Sequence, residues 1–367
     1  MAYLVPSLIS VDNPANTDED DAWNTVIALL NGANAGGLQG FKNRLINGSF
    51  RINQRAPATN ADDTYCLDRW YVLTQTGTVA VTQQTDPETG AITGVRLTQS
   101  QASAQRMGLA QIIESANCRD LRSVVATLAG RVRLSTADDV RYAVLEHTGT
   151  ADSVTSDVVN SWTNTTYTAG QFFIAGVNVL AVGEVTTAAA TWRDLTALNA
   201  SVGASSNNLI AFVWTENAVA QNVTLDLNRM QLEPGSTASI FELRPMAVEL
   251  ALCERYYEKS FALATAPAQN VGTVTGEWRF PALAAGAVTN RAPDVRYRVR
   301  KRTSPTRTTY NPAAANAEAR DIQAAADCSS VSLGNGSESG FSISVTGNAS
   351  TAISNWLGFH WTADAEL

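Results

Sequence analysis

The segment Asn222–Glu233 reads NVTLDLNRMQLE. Val223, Leu225 and Leu227 alternate with polar residues, the period of a strand that turns one face to a core. The parity then slips, and Met230 and Leu232 carry the apolar set one position out of step. A bulge near Asn228-Arg229 keeps both sets inward, because one extra residue restores the alternation.

Strand character spreads outward from this segment. In SVVATLAGRVRLS (123–135), Val132 and Leu134 face one way and Arg131 and Arg133 the other. VRYAVLEH (140–147) and QFFIAGVNVLAVGE (171–184) follow in the same style. NLIAFVWTE (208–216) is apolar on both parities, which predicts a central strand covered on both sides. Many short strands separated by Gly, Asn, Asp, Ser and Thr clusters, with almost no helix, predict an antiparallel β-sandwich of jelly-roll type over residues 42–245.

The continuation QLEPGSTASIFELRP (231–245) reads as a boundary. Pro234-Gly235 stops the ladder, because proline cannot donate to it. Ile240-Phe241 is expected to pin the chain back onto the sandwich. PMAVELALCERYYEK then predicts a linker helix over 246–260, with Met246, Leu250, Cys253 and Tyr257 as its stripe. Beyond it, GTVTGEWRFP, DVRYRVRKR, SPTRTTYNP, GFSISVTG and NWLGFHWTADAEL predict a second, smaller β-sandwich domain over 261–367. PAAANAEARDIQAAAD (312–327) interrupts it as a loop or short exposed helix.

Residues 1–41 form a separate zone. In TDEDDAWNTVIALLNG (17–32), Thr17 can cap a helix whose first turn carries Asp18, Glu19, Asp20 and Asp21, charges that suit the positive end of its dipole. Trp23, Val26, Ile27 and Leu30 make one apolar stripe, and GANAGGLQG (32–40) reads as a flexible linker. So short a helix is marginal alone, so the stripe needs a surface to cover. That surface is either this chain's own next domain or another chain.

The 367 residues are 45% hydrophobic and only 16% charged, with a formal net charge of −8. That balance argues against a phosphate-backbone binder, so no nucleic-acid partner is expected. No apolar run approaches the roughly 20 residues of a membrane span, and the N-terminus lacks the basic start of a secretory signal. Cys66, Cys118, Cys253 and Cys328 are far apart in sequence and are read as buried free thiols, with a long-range disulfide as the alternative.

Catalytic patterns are absent. Both histidines, His147 and His360, lie in strand patterns, and no nucleophile elbow or phosphate loop occurs. No enzyme activity and no cofactor are expected. Asp62-Asp63 and Asp138-Asp139 read as turns, and they are the positions where a carboxylate loop could take Ca²⁺. The aromatics are more informative. Trp162, Asn164 and Tyr167 lie in the polar stretch NSWTNTTYTAG, and Trp192 lies in AATWRDLT. Rings in such settings either complete a core or stack on sugar faces while Asn and Thr supply hydrogen bonds. Arg296, Arg298, Arg300 and Arg302 alternate with Tyr297 and Val299. They read as a solvated strand face or as a contact for an acidic polymer, with Arg298 and Arg300 the candidates.

Three segments carry a resemblance. KNRLINGSFRINQRAP (42–57) with YCLDRWYV (65–72) supplies Asn47-Gly48, Gln54-Arg55 and Asp68-Arg69-Trp70. QLEPGSTASIFELRP and ELALCERYYEKS (249–260) are the others, and the closing WTADAEL fits the same pattern. Together they resemble virion proteins of tailed phages and gene transfer agents, in the fibre and spike class. The central region, with GLAQIIES (108–115) and QLEPGS, is similar to carbohydrate-binding jelly rolls. The resemblance implies a homo-oligomeric structural subunit, a trimer or pentamer, assembled in the bacterial cytoplasm and carried in the virion. Its N-terminal stripe would attach to other virion proteins, and its β-domains would meet host cell-surface polysaccharide. A decoration or adaptor protein that binds only virion proteins is the alternative, and a polysaccharide-degrading spike is the less favoured one.

Overall fold

The computed structural model describes residues 41–57, 59–85, 90 and 92–367, without the side chains of residues 92 and 93. The expected helix with Trp23, Val26, Ile27 and Leu30, and the linker after it, lie outside the described residues.

Among the described residues, twelve strands build the first domain. They are β1 (Thr64–Leu67), β2 (Trp70–Thr74), β3 (Val79–Thr85), β4 (Ile92–Gln99), β5 (Met107–Ile113), β6 (Val125–Leu134), β7 (Asp139–His147), β8 (Asn178–Thr186), β9 (Arg193–Asp194), β10 (Leu198–Ser201), β11 (Asn208–Thr215) and β12 (Thr224–Pro234). Sheet one runs β1-β2-β5-β11-β7-β8, and sheet two runs β10-β6-β12-β4-β3 with β9 beside β6. All pairs are antiparallel, as the jelly-roll expectation requires. The core between the sheets joins Val72, Leu109, Val144 and Val213 to Val95, Leu97, Val132 and Leu225.

The bulge falls where the sequence places it. Asn228 opposes Arg131, but the next pair is Gln231 with Ala129, so β12 carries one extra residue. Arg229 takes a φ of 53°, and Met230 and Leu232 are then as fully buried as Leu225 and Leu227. The central strand also matches its reading. β11 lies between β5 and β7, and all eight of its residues are buried. Its second face, Ile210, Phe212 and Trp214, is roofed by the connection from β7 to β8, chiefly Val158, Phe172 and Phe173. Phe212 and Trp214 stack at 4.6 Å, and Phe172 lies 5.2 Å from Trp214. Each such ring contributes about 1.5–3 kcal/mol on burial, enough to hold a polar connection onto the sheet.

The boundary segment differs from expectation in its detail. The Ile240 side chain is 89% exposed and does not hold the segment to the core. Polar side chains of β12 hold the segment instead: Glu233 accepts from the Ser239 N–H at 2.7 Å, and Gln231 accepts from the Glu242 N–H at 2.8 Å. The helix, α1, spans Met246–Glu254 and is shorter than the predicted 246–260. Met246, Leu250 and Cys253 pack on Ile46, Ile52 and Tyr256 as a stripe. Tyr257 instead opens a strand, because pairing with the C-terminal strand captures it.

The second domain contains β13 (Tyr257–Lys259), β14 (Trp278–Pro281), β15 (Thr289–Arg291), β16 (Val295–Arg296), β17 (Thr306–Tyr310), β18 (Arg320–Asp321), β19 (Ala326–Asp327), β20 (Ser330–Gly334), β21 (Gly340–Thr346) and β22 (Trp356–Asp364). β22 pairs with β13, β14, β17 and β18, while β21 pairs with β15, β16 and β20. Phe280, Val295, Phe341, Val345, Leu357 and Phe359 fill the space between them. The strand expected over DVRYRVRKR is confined to Val295–Arg296, although burial still alternates through Tyr297. PAAANAEARDIQAAAD is a loop that ends in the small β18–β19 pair, with no helix.

The segments that carry the resemblance meet at the seam between the domains. Gln54 donates its N–H and its Nε2 to the Asp68 carboxylate at 2.6 and 2.7 Å, and its Nε2 also reaches Tyr257 O at 2.9 Å. The Arg55 guanidinium lies 3.8 Å over the Tyr257 ring and pairs with Asp364 at 2.6 Å. Arg69 sits 3.6 Å over Tyr256 and pairs with Glu366. The Tyr65 hydroxyl donates to Leu367 O at 3.0 Å. The four cysteines are free and buried.

His360 lies in β22 with no exposed surface. Its Nε2 faces Thr273 O at 3.2 Å and must donate, so its Nδ1 accepts the Ser260 hydroxyl at 3.0 Å. Phe261 stacks on the ring at 3.9 Å. Burial lowers the His360 pKa below its ordinary value. In this pH range the unfolded chain binds the extra proton, so the stabilisation is complete above the ordinary histidine value and is lost as pH falls. Urea unfolding at pH 7 and pH 5 is expected to show an acid-induced loss that is smaller in His360→Gln. An equal loss in the variant would remove His360 as the cause.

Candidate functional site

The outer face of sheet two carries an ordered polar surface. Register places Thr82, Arg96, Asp226 and Arg133 in one row across β3, β4, β12 and β6. The next row is Gln84, Gly94, Asn228, Arg131 and Asp194. These residues point outward because their neighbours Val95, Leu97, Leu225, Leu227 and Val132 point into the core.

Asp226 organises the first row. Its side chain is buried, and both carboxylate oxygens accept from guanidiniums. Arg96 Nε and Nη2 reach it at 2.7 and 2.9 Å, and Arg133 Nε reaches it at 2.7 Å. Arg96 and Arg133 are thereby fixed side by side with the rest of their donors turned to solvent. Trp192, half-buried, covers one end of the face. Its ring centroid lies 4.9 Å from the Arg133 guanidinium carbon and 5.7 Å from that of Arg131. Arg131 also pairs with the exposed Asp194 at 2.9 Å. Among the described residues nothing donates to the buried Asn228 Oδ1. The whole is an indole platform beside ordered donors, without a reactive pair: Asp226 is committed to its two arginines.

The remaining candidates lie elsewhere. Trp162 and Tyr167 belong to the connection that roofs sheet one, on the far side of the sandwich from Trp192. Trp162 meets Phe172 and Phe212 edge-on at 5.8 and 6.1 Å. Tyr167 lies 5.0 Å from Phe172, and its hydroxyl donates to Glu216 at 2.6 Å. Burial pushes that hydroxyl up to about 12. Asn164 shapes its own turn, accepting from the Thr166 N–H at 2.8 Å and donating to Gln171 at 2.9 Å. Arg298 and Arg300 lie in the second domain, exposed by 64% and 77%. Arg298 bonds Glu254 at 2.9 Å, and Arg300 lies 3.9 Å from Glu338. Arg302 leaves their face and donates to the Ala365 and Glu366 carbonyls. The structure thus brings no two of the predicted clusters together.

Sequence reasoning did not single out Arg96 or Asp226, and it read Asn228 only as the place of the bulge. A signal existed: each charge of Val-Arg-Leu and Leu-Asp-Leu is flanked by core residues in a strand, which fixes it on the outer face. At the two acidic turns, the Asp62 carboxylate accepts the Thr74 N–H and the Asp138 carboxylate accepts from Asp139 and Asn217. Among the described residues no group of three His, Cys, Asp or Glu side chains is placed to hold a metal.

No known family profile and no curated protein matches the chain. Solved structures do. TmCBM61 in complex with beta-1,4-galactotriose aligns with 53% of this chain and 100% of its own, at 14% identity and a TM-score of 0.32. The CBM22-1 xylan-binding domain from Paenibacillus barcinonensis Xyn10C covers 49% of this chain and 94% of its own, at 13% identity and a TM-score of 0.29. The enzymatically active domain of Bacteriophage CBA120 tailspike protein 4 covers 53% of this chain and 22% of its own, at 11% identity and a TM-score of 0.32.

Proposed function

We propose that the protein binds a glycan on the outer face of sheet two. The observation that carries this reading is Trp192 lying over two arginines beside the Arg96–Asp226–Arg133 row. An aromatic face suits the C–H face of a pyranose ring, and guanidinium forks suit vicinal hydroxyls or a uronate carboxylate. Asp226 holds Arg96 and Arg133 before any ligand arrives, so little side-chain entropy is lost on binding. Arg96, Arg131 and Arg133 against Asp194 and Asp226 leave the face one positive charge (three minus two), on a chain whose net charge is −8. An acidic or neutral polysaccharide therefore fits better than a basic ligand.

The motif resemblance supports a setting for this face. It is a fibre or spike subunit of a phage-type virion, displayed as a homo-oligomer toward host cell-surface polysaccharide. Several copies on one particle would convert weak single-site binding into avid attachment.

Trp192→Ala is expected to weaken retention of host envelope polysaccharide about tenfold, the size of one aromatic platform contact. Its urea midpoint should stay near that of the parent, because the half-buried ring lies on the outer face and takes no part in either core cluster of the sandwich. Affinity electrophoresis in gels containing the polysaccharide reads this directly. Unchanged retention of the variant would move the site off this face. Failure of the parent chain to bind any polysaccharide from the host would end the glycan reading and leave a decoration role.

A further inference from the structure

A polar cleft of about 450 Å³ opens at the seam between the two domains, within the size range of small-ligand sites. Period two builds its sheet wall. Thr306, Thr308 and Tyr310 share one face of β17, and register sets Thr306 opposite Asp364 and Thr308 opposite Thr362 of β22. On the other side of β22, Tyr257 of β13 stands opposite Asp364. The intervening residues Trp361 and Ala363 enter the core of the second domain, which turns the hydroxyl face outward. The first domain closes the cleft with Arg55, which covers the Tyr257 ring and holds Asp364 at 2.6 Å and Glu366 at 3.3 Å.

We propose that this cleft binds one neutral sugar unit, as a second ligand site apart from the outer face of sheet two. Three observations select this ligand. The first is spare hydrogen-bonding capacity. Among the described residues nothing bonds the Thr306 or Thr308 hydroxyl, and the Tyr310 and Thr362 hydroxyls meet only each other, at 3.4 Å. Each can donate and accept, as the hydroxyls of a pyranose require. The second is an anchored acceptor. Asp364 takes one bond from Arg55 at 2.6 Å and one from the Glu366 N–H at 3.1 Å. A carboxylate accepts about four, and the Asp364 side chain is 37% exposed, so capacity remains for a ligand hydroxyl. The third is charge. Arg55 and Arg69 against Asp364 and Glu366 leave no net charge (two minus two), so neither an acid nor an amine is favoured. The groups are also held in place: Thr362 is buried in β22, and the Tyr310 ring meets Phe261 edge-on at 5.4 Å, so little side-chain entropy is lost on binding. The Tyr257 ring lies under Arg55 and offers no stacking platform, so hydroxyl geometry does the selecting. The inference is independent of the Trp192 face.

The test titrates the full chain with the methyl glycosides of glucose, galactose and mannose, and with their uronic acid counterparts, read by saturation-transfer NMR. At least one neutral glycoside is expected to bind, and its uronic acid counterpart more weakly. Thr306→Val with Thr308→Val removes two hydroxyls at nearly constant volume and should weaken that binding about tenfold or more, the size of one or two lost hydrogen bonds. The urea midpoint of this variant should match the parent, because both side chains are exposed and unbonded. Thr306→Ser with Thr308→Ser keeps the hydroxyls and should bind as the parent does. Trp192→Ala should also bind as the parent does, and a loss there would place the sugar on sheet two and overturn the proposal. No binding of any neutral glycoside by the parent, equal binding by the valine variant, or tighter binding of the uronic acid would each overturn it as well.

Discussion

Gly48→Ala is expected to cost about 3–5 kcal/mol, a large part of the roughly 5–15 kcal/mol that holds a domain folded. A Cβ at this position would lie 2.1 Å from Met230 O and 3.1 Å from Asn43 Nδ2. The first contact is with backbone, so no rotamer change relieves it. Met230 is also the residue that re-enters the core after the bulge, and its N–H donates to Gly48 O at 2.9 Å. The preceding residue cannot shift to make room. Asn47 holds a φ of 59°, bonds Ile52 through both ends of its amide, and accepts the Trp70 indole N–H at 3.1 Å. The turn and the bulge are therefore locked together, and a methyl group must break one of them. Urea unfolding against Gly170→Ala is the measurement. Gly170 has a positive φ but open space around it, so that control isolates the conformational cost of about 1 kcal/mol. Equal losses at the two positions would show that the turn does not lodge against the bulge.

The same region shows what one sequence discloses and what it withholds. The bulge was legible because period two is a local property: four leucines and methionines on one face demand an extra residue between them. The double burial of β11 was legible for the same reason. The identity of its cover was not. NSWTNTTYTAG looks like an open polar loop, yet Phe172 and Phe173, a few residues on, draw the whole connection onto Phe212 and Trp214. Trp162 and Tyr167 go with them, away from Trp192. The end of α1 was hidden as well. The apolar spacing continues through Tyr257, but β22, about a hundred residues later, takes Tyr257–Lys259 into a sheet. Long-range partners also explain the family-like motifs. Gln54-Arg55, Asp68-Arg69 and the C-terminal Asp364–Leu367 are recognisable singly, but their shared work as a clasp appears only when the ends of the chain are brought together.

That clasp has a second half, and its removal is the other large expected loss. Lys301→Met should destabilise the protein by about 3–5 kcal/mol, the range for stripping one partner from a buried ion pair. The Lys301 side chain has no exposed surface, and Glu258 has almost none. The ammonium donates to the Glu258 carboxylate, to Glu254 O and, at 3.0 Å, to Val299 O, and it lies 4.9 Å from the Tyr297 ring centroid. Burial lowers its pKa, and that desolvation is offset by the carboxylate and the carbonyls. Methionine fills similar space but leaves a buried carboxylate that, among the described residues, keeps only the Arg298 N–H, at 3.1 Å. The backbone bends at Arg298 and Val299, yet burial keeps alternating, and Lys301 falls on the same inward side as Val295 and Tyr297, where it meets Glu258. Adding Glu258→Gln should therefore restore 1–3 kcal/mol, about the coupling expected of contacting groups, because the stranded charge is gone. A double-mutant cycle on urea midpoints measures it. If the two substitutions prove additive, the pair carries no coupling, and the cost of Lys301→Met belongs to its lost carbonyl contacts alone.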